Sequence, residues 1–381
     1  MNDGEATARR RGPVVDVHAH ALLPALDRLV GDDGRLAAYW ARERRRNGAP
    51  SAQVNVGMVA ERVPQLTDVD RRLRDMDAAG VDRQIVSASP SQYHYWADPP
   101  LATALCRAAN EAIAELAAVA PERLGGLGLV PLQHPGLMVD ALDHAVEGCG
   151  LAGVEISSHA DTPDGGRVEL SDPRLDAFWA RAGELGAVVL LHPFGCTLEE
   201  RLDRFYLSNT VGQPVEHAVA LSHVIFGGVL DRHPGLRLVA CHGGGYLPTS
   251  IGRADHGWAH RPDARSCARP PSSYLRELWF DSLVFSADGL RALVGAVGAD
   301  RVLLGSDYPF DMGVADPVER LAAAGLDPAA EAAILGGNAR DLGLTHRDRA
   351  DVAHHGHRAD DQHPDPDPGV LAAPNTDRSP T

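Results

Sequence analysis

Eight short apolar runs punctuate the chain, at residues 14–20, 83–89, 127–130, 152–156, 187–191, 236–241, 278–281 and 302–305. They are too short for buried helices and rich in Val, Leu and Ile, so they read as buried strands. Between them the apolar positions return at helical spacing. Val69, Leu73 and Met76 mark one face over 68–79, with Gly80 as a C-terminal stop. Further helices are predicted over 101–118, 136–147, 173–185 and 216–231, and another follows the seventh strand. Eight nearly continuous apolar strands alternating with helices predict a closed parallel barrel of the (β/α)8 TIM type.

Two stretches break the alternation. Residues 21–67 hold a basic run (Arg42, Arg44, Arg45, Arg46) and little strand character, and are expected as a long loop insertion after the first strand, a lid or binding loop. Residues 345–381 are polar and rich in Pro, Asp and His. They cannot bury enough surface to offset chain entropy, so a disordered C-terminal tail is expected. The predicted organisation is a flexible N-terminus over 1–12, one barrel domain over 13–344, and the tail.

Composition narrows the partners. A formal net charge of −16 disfavours nucleic acid and anionic membrane surfaces. No apolar run is long enough to span a bilayer, and residues 1–11 carry no secretory h-region. Five cysteines without CxxC spacing are expected as reduced thiols in a cytoplasmic protein. The chain has no lysine; all 36 basic residues are arginine. That excludes a Schiff-base lysine and a lysine carbamate bridging two metals.

The candidate chemistry sits where the strands end. Residues two apart in an extended chain point to one side, so His18 and His20 can converge on one point. Strand 5 runs into His192, strand 6 into His242 and strand 8 into Asp307. The C-terminal rim is where barrel active sites lie. Burying so many His and Asp groups together is costly without a metal, and imidazoles with a carboxylate suit a divalent ion. His242 can shuttle a proton near neutral pH.

Taken together, His18-Ala19-His20, His192-Pro193, Cys241-His242-Gly243-Gly244-Gly245 and Gly305-Ser306-Asp307-Tyr308-Pro309-Phe310 resemble the signature of the amidohydrolase superfamily. Asp75-Met76-Asp77, Tyr95-Trp96-Ala97, Gly227-Gly228-Val229 and Gly252-Arg253 resemble its aminocarboxymuconate-semialdehyde decarboxylase branch, and the similarity spans about 14–344. The resemblance implies one divalent metal, zinc first and manganese second, held by His18, His20, His192 and Asp307. It implies His242 as the acid/base beside Asp307, Trp96 and Phe310 as pocket or shell residues, and Phe194 as a further substrate-binding residue. Arg253 would hold a substrate carboxylate in a neighbouring subunit's site, which implies a homodimer; otherwise it is an exposed helix arginine. Glu155 would be a hydrogen-bonded barrel carboxylate, or a bridge between two metals.

The chain also departs from the branch. Within Val59-Ala60-Glu61-Arg62-Val63, Ala60 falls where muconate-type members carry a second carboxylate-binding arginine, and Phe194 replaces their Trp after His-Pro. Arg62 could substitute, or the substrate lacks that carboxylate. The expected activity is release of CO2 from an unsaturated or aromatic carboxylic acid. The alternatives are a metal-dependent hydrolase of an amide, ester or lactone, and a non-catalytic metal-binding protein, against which an unligated His242 argues.

Overall fold

The computed structural model describes residues 12–31, 33–162 and 164–345. The tail expected over 345–381 and the terminus over 1–12 lie outside these, apart from Gly12 and Thr345. Eight barrel strands occur where the apolar runs predict them. They are β1 (Val15–Ala21), β2 (Arg83–Ala88), β3 in two pieces (Leu124–Gly126 and Gly128–Leu129), β4 (Gly153–Ile156), β5 (Val188–Leu191), β6 (Arg237–Ala240), β7 (Trp279–Asp281) and β8 (Val302–Leu303).

All neighbouring barrel strands pair in parallel. The ring closes at β1, where Val17 N donates to Leu304 O (2.9 Å) and Asp307 N donates to His18 O (2.8 Å). Between the pieces of β3, Leu127 N donates to Val86 O (2.9 Å), which keeps the ring continuous. Gly153 is required at the crowded β4–β5 seam, since a Cβ there would lie 1.9 Å from Val188 O.

Successive strand residues face opposite ways, so each strand feeds two cores. Val15, Val17, Ile85, Leu127, Val188, Leu190, Val239 and Leu303 pack together inside the ring, with Ala339 of the helix Asn338–Asp341 and with Leu342 and Leu344 just after it. The alternate residues, among them Val154, Val189, Leu191, Leu238 and Ala240, pack against the surrounding helices. The register of β1 on β2 shifts between Asp16 and Ala19, in the segment that carries His18.

The insertion after β1 lies where expected, but it is helical rather than a loop: α1 (Pro24–Val30), α2 (Gly34–Asn47) and α3 (Ala49–Thr67). Prolines in the first turns of α1 and α3 and the Asp33 side chain on Arg35 N start these helices. Val54, Val56 and Val63 of α3 are exposed, so the segment has no clean apolar stripe for a periodicity argument to find. Next come α4 (Val69–Ala79), capped by Asp68 and ended by Gly80 at φ 70°, and α5 (Pro99–Val119). A two-stranded hairpin, His159–Asp161 against Arg167–Glu169, was not foreseen.

Candidate active site

The strand ends bring four predicted residues together. Ligand atoms of His18, His20, His192 and Asp307 all lie within 4.8 Å of one another, and all four residues are buried. His18 Nε2 is 3.2 Å from His20 Nε2, and Asp307 Oδ1 lies 3.4 Å from the first and 3.2 Å from the second. Neither ring nitrogen of His192 nor Asp307 Oδ1 has a hydrogen-bond partner. Buried polar atoms without partners are costly. Three imidazoles and a carboxylate converging with spare lone pairs fit one divalent metal with room for a further ligand.

The groups behind these side chains set their ring orientation, and most were not legible beforehand. His18 Nδ1 meets Asp281 Oδ2 at 2.6 Å, which leaves Nε2 free to face the other donors. Burial would depress His18, but Cys241, Asp307 and Asp281 outweigh it and push its pKa well above the ordinary value. His20 Nδ1 donates to Ala88 O (3.3 Å), again leaving Nε2 facing inward. Asp16 accepts from His18 N (3.1 Å), Ser306 N (3.0 Å) and Ser306 Oγ (2.6 Å), tying the end of β1 to the turn that carries Asp307. Arg72 donates to His20 O (2.6 Å), and burial pushes its pKa down to about 10.

Glu155 is in van der Waals range of the site but not among the four converging groups. Its Oε2 is 3.9 Å from His20 Nδ1, burial pushes its pKa up, and the Tyr93 hydroxyl donates to Oε1. Oε1 is thus hydrogen-bonded, as expected of a barrel carboxylate, while Oε2 has no hydrogen-bond partner.

His242 stands beside the four without joining them, its Nε2 3.5 Å from Asp307 Oδ2. Both residues hold φ above +50°, at 53° and 57°, a strained conformation for non-glycine residues that clusters at functional sites. The glycines after His242 make its turn possible. Gly245 has φ +64, and a Cβ there would lie 2.3 Å from Pro214 O. On its far side, His242 Nδ1 lies 3.1 Å from Nε2 of His217, a residue the sequence reading passed over.

A cavity of about 610 Å³ opens over this group. His192, His242, Asp307, Phe194 and Phe310 line it, and α1–α3 roof it through residues such as Leu36, Trp40 and Val59. Phe310 lies 5.5 Å from the His20 ring. Trp96, expected as a pocket or shell residue, does not line the cavity. Its ring packs edge-on against His94 at 5.6 Å, and His94 takes the lining position. Arg62 faces a separate cavity of about 310 Å³, whereas Ala60 lines the larger one. Arg253 is exposed on the helix Gly252–His260 and lines neither cavity. Arg46 is the arginine lining the larger cavity, and it already pairs with Glu43 (2.7 Å) and Glu199 (2.8 Å).

Those pairs also hold the roof. Arg42 of α2 reaches Asp161 on the hairpin (2.6 Å) and Glu199 (2.8 Å), so α2 is fastened to the loops after β4 and β5. Beneath it, Glu216 accepts from Thr197 N (2.7 Å) and Oγ1 (2.6 Å) and pairs with His159 (3.2 Å), pinning the Phe194 loop. Burial alone would raise Glu216, yet His159 and Thr197 outweigh it and bring its pKa to about 2. A depressed carboxyl stabilises the fold above its ordinary pKa, 4.5, and loses that contribution as pH falls through the folded value. Glu216→Gln is expected to melt below wild type at pH 7, with the gap narrowing as pH falls from 4.5 toward 2. A gap independent of pH in thermal melts would remove the carboxylate from this role.

Comparison with known proteins places the chain. The Amidohydrolase family profile matches residues 15–342. The 2-amino-3-carboxymuconate-6-semialdehyde decarboxylase of Dictyostelium discoideum is 34% identical over 281 residues, covering 73% of this chain and 77% of that protein. The gamma-resorcylate decarboxylase of Rhodococcus jostii is 30% identical over 262 residues, covering 65% and 79%. Among solved structures, 5-carboxyvanillate decarboxylase from Sphingomonas paucimobilis matches with a TM-score of 0.73 at 25% identity, covering 87% of this chain and 98% of that one. These relatives are decarboxylases, which favours the lyase over the hydrolase alternative. The chain belongs to the amidohydrolase family, as a metal-dependent carboxy-lyase within it.

Proposed function

We propose that the site removes CO2 from an aromatic carboxylic acid, with His242 as proton donor and His18, His20, His192 and Asp307 holding one zinc ion. Manganese is the alternative, since imidazole and carboxylate suit both. The observation that carries this reading is an unligated, cavity-facing His242 beside four converging donors with unpartnered atoms. Bound there, a divalent ion supplies the positive charge that orients substrate oxygens and offsets negative charge developing as the C–C bond breaks.

The protein's own residues do the rest. When the bond to the carboxylate carbon breaks, its electron pair stays on the ring carbon, which takes up one proton as CO2 leaves. His242 Nε2–H, 3.5 Å from Asp307 Oδ2 and open to the cavity, is placed to give that proton. Phe194 and Phe310 offer apolar ring faces to a planar substrate, and an aromatic acid suits them better than a flexible dicarboxylate. Arg46 is neutralised by two carboxylates, so a cation for the substrate carboxylate has to come from elsewhere. Arg253 of a second copy would supply it in a homodimer, and its exposure leaves it free to do so. All five cysteines are unpaired, four of them buried, which fits a cytoplasmic setting.

The test is CO2 release by metal-loaded protein across ortho-hydroxylated benzoates and aminocarboxymuconate semialdehyde, with His242→Ala as control. Release that depends on His242 supports the reading, and no release from any member sinks the substrate class. In the same assay Arg253→Ala should raise KM about 10-fold or more, as loss of a charge-assisted contact requires. A monomer by gel filtration with unchanged KM would dismiss the cross-subunit role.

A further inference from the structure

His94, on the loop between β2 and α5, lines the cavity and is 3% exposed, yet neither of its ring nitrogens has a partner in the protein. A buried imidazole without hydrogen bonds is costly, and an apolar side chain would fill the position at no such cost. Its backbone is held in the left-handed region as well, at φ 49°. That conformation costs energy in a non-glycine residue and clusters at ligand sites. The turn is pinned from below: Ala97 N donates to His94 O (2.8 Å), and Gln133 Nε2 (3.3 Å) and His134 Nε2 (2.9 Å) donate to Ala97 O. Trp96 props the imidazole edge-on at 5.6 Å, and the Arg35 guanidinium covers Trp96 in turn, 5.3 Å from the ring centroid. An unpaired imidazole is thus fixed in the cavity wall by groups that make no polar demand on it.

We propose that His94 is a specificity residue that hydrogen-bonds a ring hydroxyl on the edge of the aromatic acid away from the departing carboxylate. The inference rests on the aromatic-acid reading of the cavity and names a substituent which that reading leaves open. Place and charge both point to it. β2 and β6, whose ends lead to His94 and His242, are four strands apart in the eight-strand ring and so stand opposite each other across it. A substrate with its reacting carbon at His242 therefore turns its far edge toward the β2 side. Burial brings the His94 pKa down to about 4, so near pH 7 the ring is neutral and offers one N–H and one lone pair. A hydroxyl, which both accepts and donates, matches that pair. A second carboxylate needs a cation, and Arg46, the arginine lining the cavity, is already paired with Glu43 and Glu199.

The test separates binding from turnover. The zinc-loaded full chain is titrated by calorimetry with phenol, resorcinol and hydroquinone, none of which has a carboxylate to lose. One hydroxyl of each can turn to the metal, and the diols have a second left for His94. The better diol is expected to bind about 10-fold or more tightly than phenol, since it satisfies a buried group that phenol leaves unpaired. His94→Phe should abolish that preference, whereas His94→Gln keeps a donor and an acceptor and should retain most of it. With 15N-histidine, the His94 ring signals, assigned through His94→Gln, should move further with the better diol than with phenol. In CO2 release, His94→Phe should lower the kcat/KM ratio of 2,4- or 2,5-dihydroxybenzoate over 2-hydroxybenzoate by about 10-fold or more.

Wild type binding both diols no better than phenol would overturn the proposal. So would an undiminished preference in folded, metal-replete His94→Phe. If that variant fails to fold, the His94 signals of wild type decide: no further movement with the better diol overturns the assignment. If wild type releases CO2 from no acid, the functional reading fails while the diol preference and its dependence on His94 stand or fall alone.

Discussion

His242→Ala should lose about 100- to 10,000-fold in kcat, the usual worth of a positioned general acid, while keeping a full equivalent of metal. The separation of the two effects follows from geometry. His242 is outside the group of four whose ligand atoms lie within 4.8 Å of one another; its Nε2 is 3.5 Å from Asp307 Oδ2, and its ring packs edge-on against those of His18 and His192. Removing it takes away a proton donor and leaves the converging donors intact. Metal content by elemental analysis and single-turnover CO2 release check this together. Near-normal turnover would remove His242 from proton transfer. Loss of metal in step with turnover would instead make it a fifth ligand.

Asp307→Ala should lose metal and activity together, and here the effect exceeds that of any orienting partner. Asp307 Oδ1 is the one carboxylate oxygen among the converging atoms, within 3.4 Å of both His18 and His20 nitrogens. Burial would raise its pKa, but His18, His20 and His242 hold it well below the usual carboxylate range, so it is charged in the fold. Loss of groups that merely orient ligands costs about 10- to 100-fold in metal affinity, and loss of the ligand charge should cost more. Elemental analysis after dialysis should find well under one equivalent. A chelator should lower the melting temperature of wild type and leave that of the variant unchanged, because the metal binds only the folded state. Stoichiometric metal in Asp307→Ala would sink the ligand assignment.

Much of this site was readable in advance because barrels translate position into role. A polar residue directly after an apolar strand arrives at one rim, so His18, His20, His192, His242 and Asp307 could be gathered without coordinates. The same logic fails for groups that reach the site sideways. Asp281 ends β7 just as visibly, but its pairing with His18, 263 residues away, depends on how β7 and β1 are spaced around the closed ring. Trp96 and Arg62 show what such a reading leaves open. Both sit in stretches that resemble pocket segments, yet His94 occupies the lining position beside Trp96, and Arg62 faces a different cavity. Resemblance assigns a segment to a region; the rotation of the loop assigns the side chain.

The eight strands, their order and the residues at their ends follow from local patterning, because burial on both faces forces continuous apolar runs whatever the rest of the chain does. Three things needed the folded ring. The insertion became three helices over the cavity, although its exposed valines gave no stripe to read. Arg46, one of a basic run that looked free, was neutralised by Glu43 and by Glu199 from the loop after β5. His217 came within 3.1 Å of His242 because a glycine turn allowed a helix and a strand end to touch. Each depends on contacts between distant segments, and hydrophobic period carries no information about those.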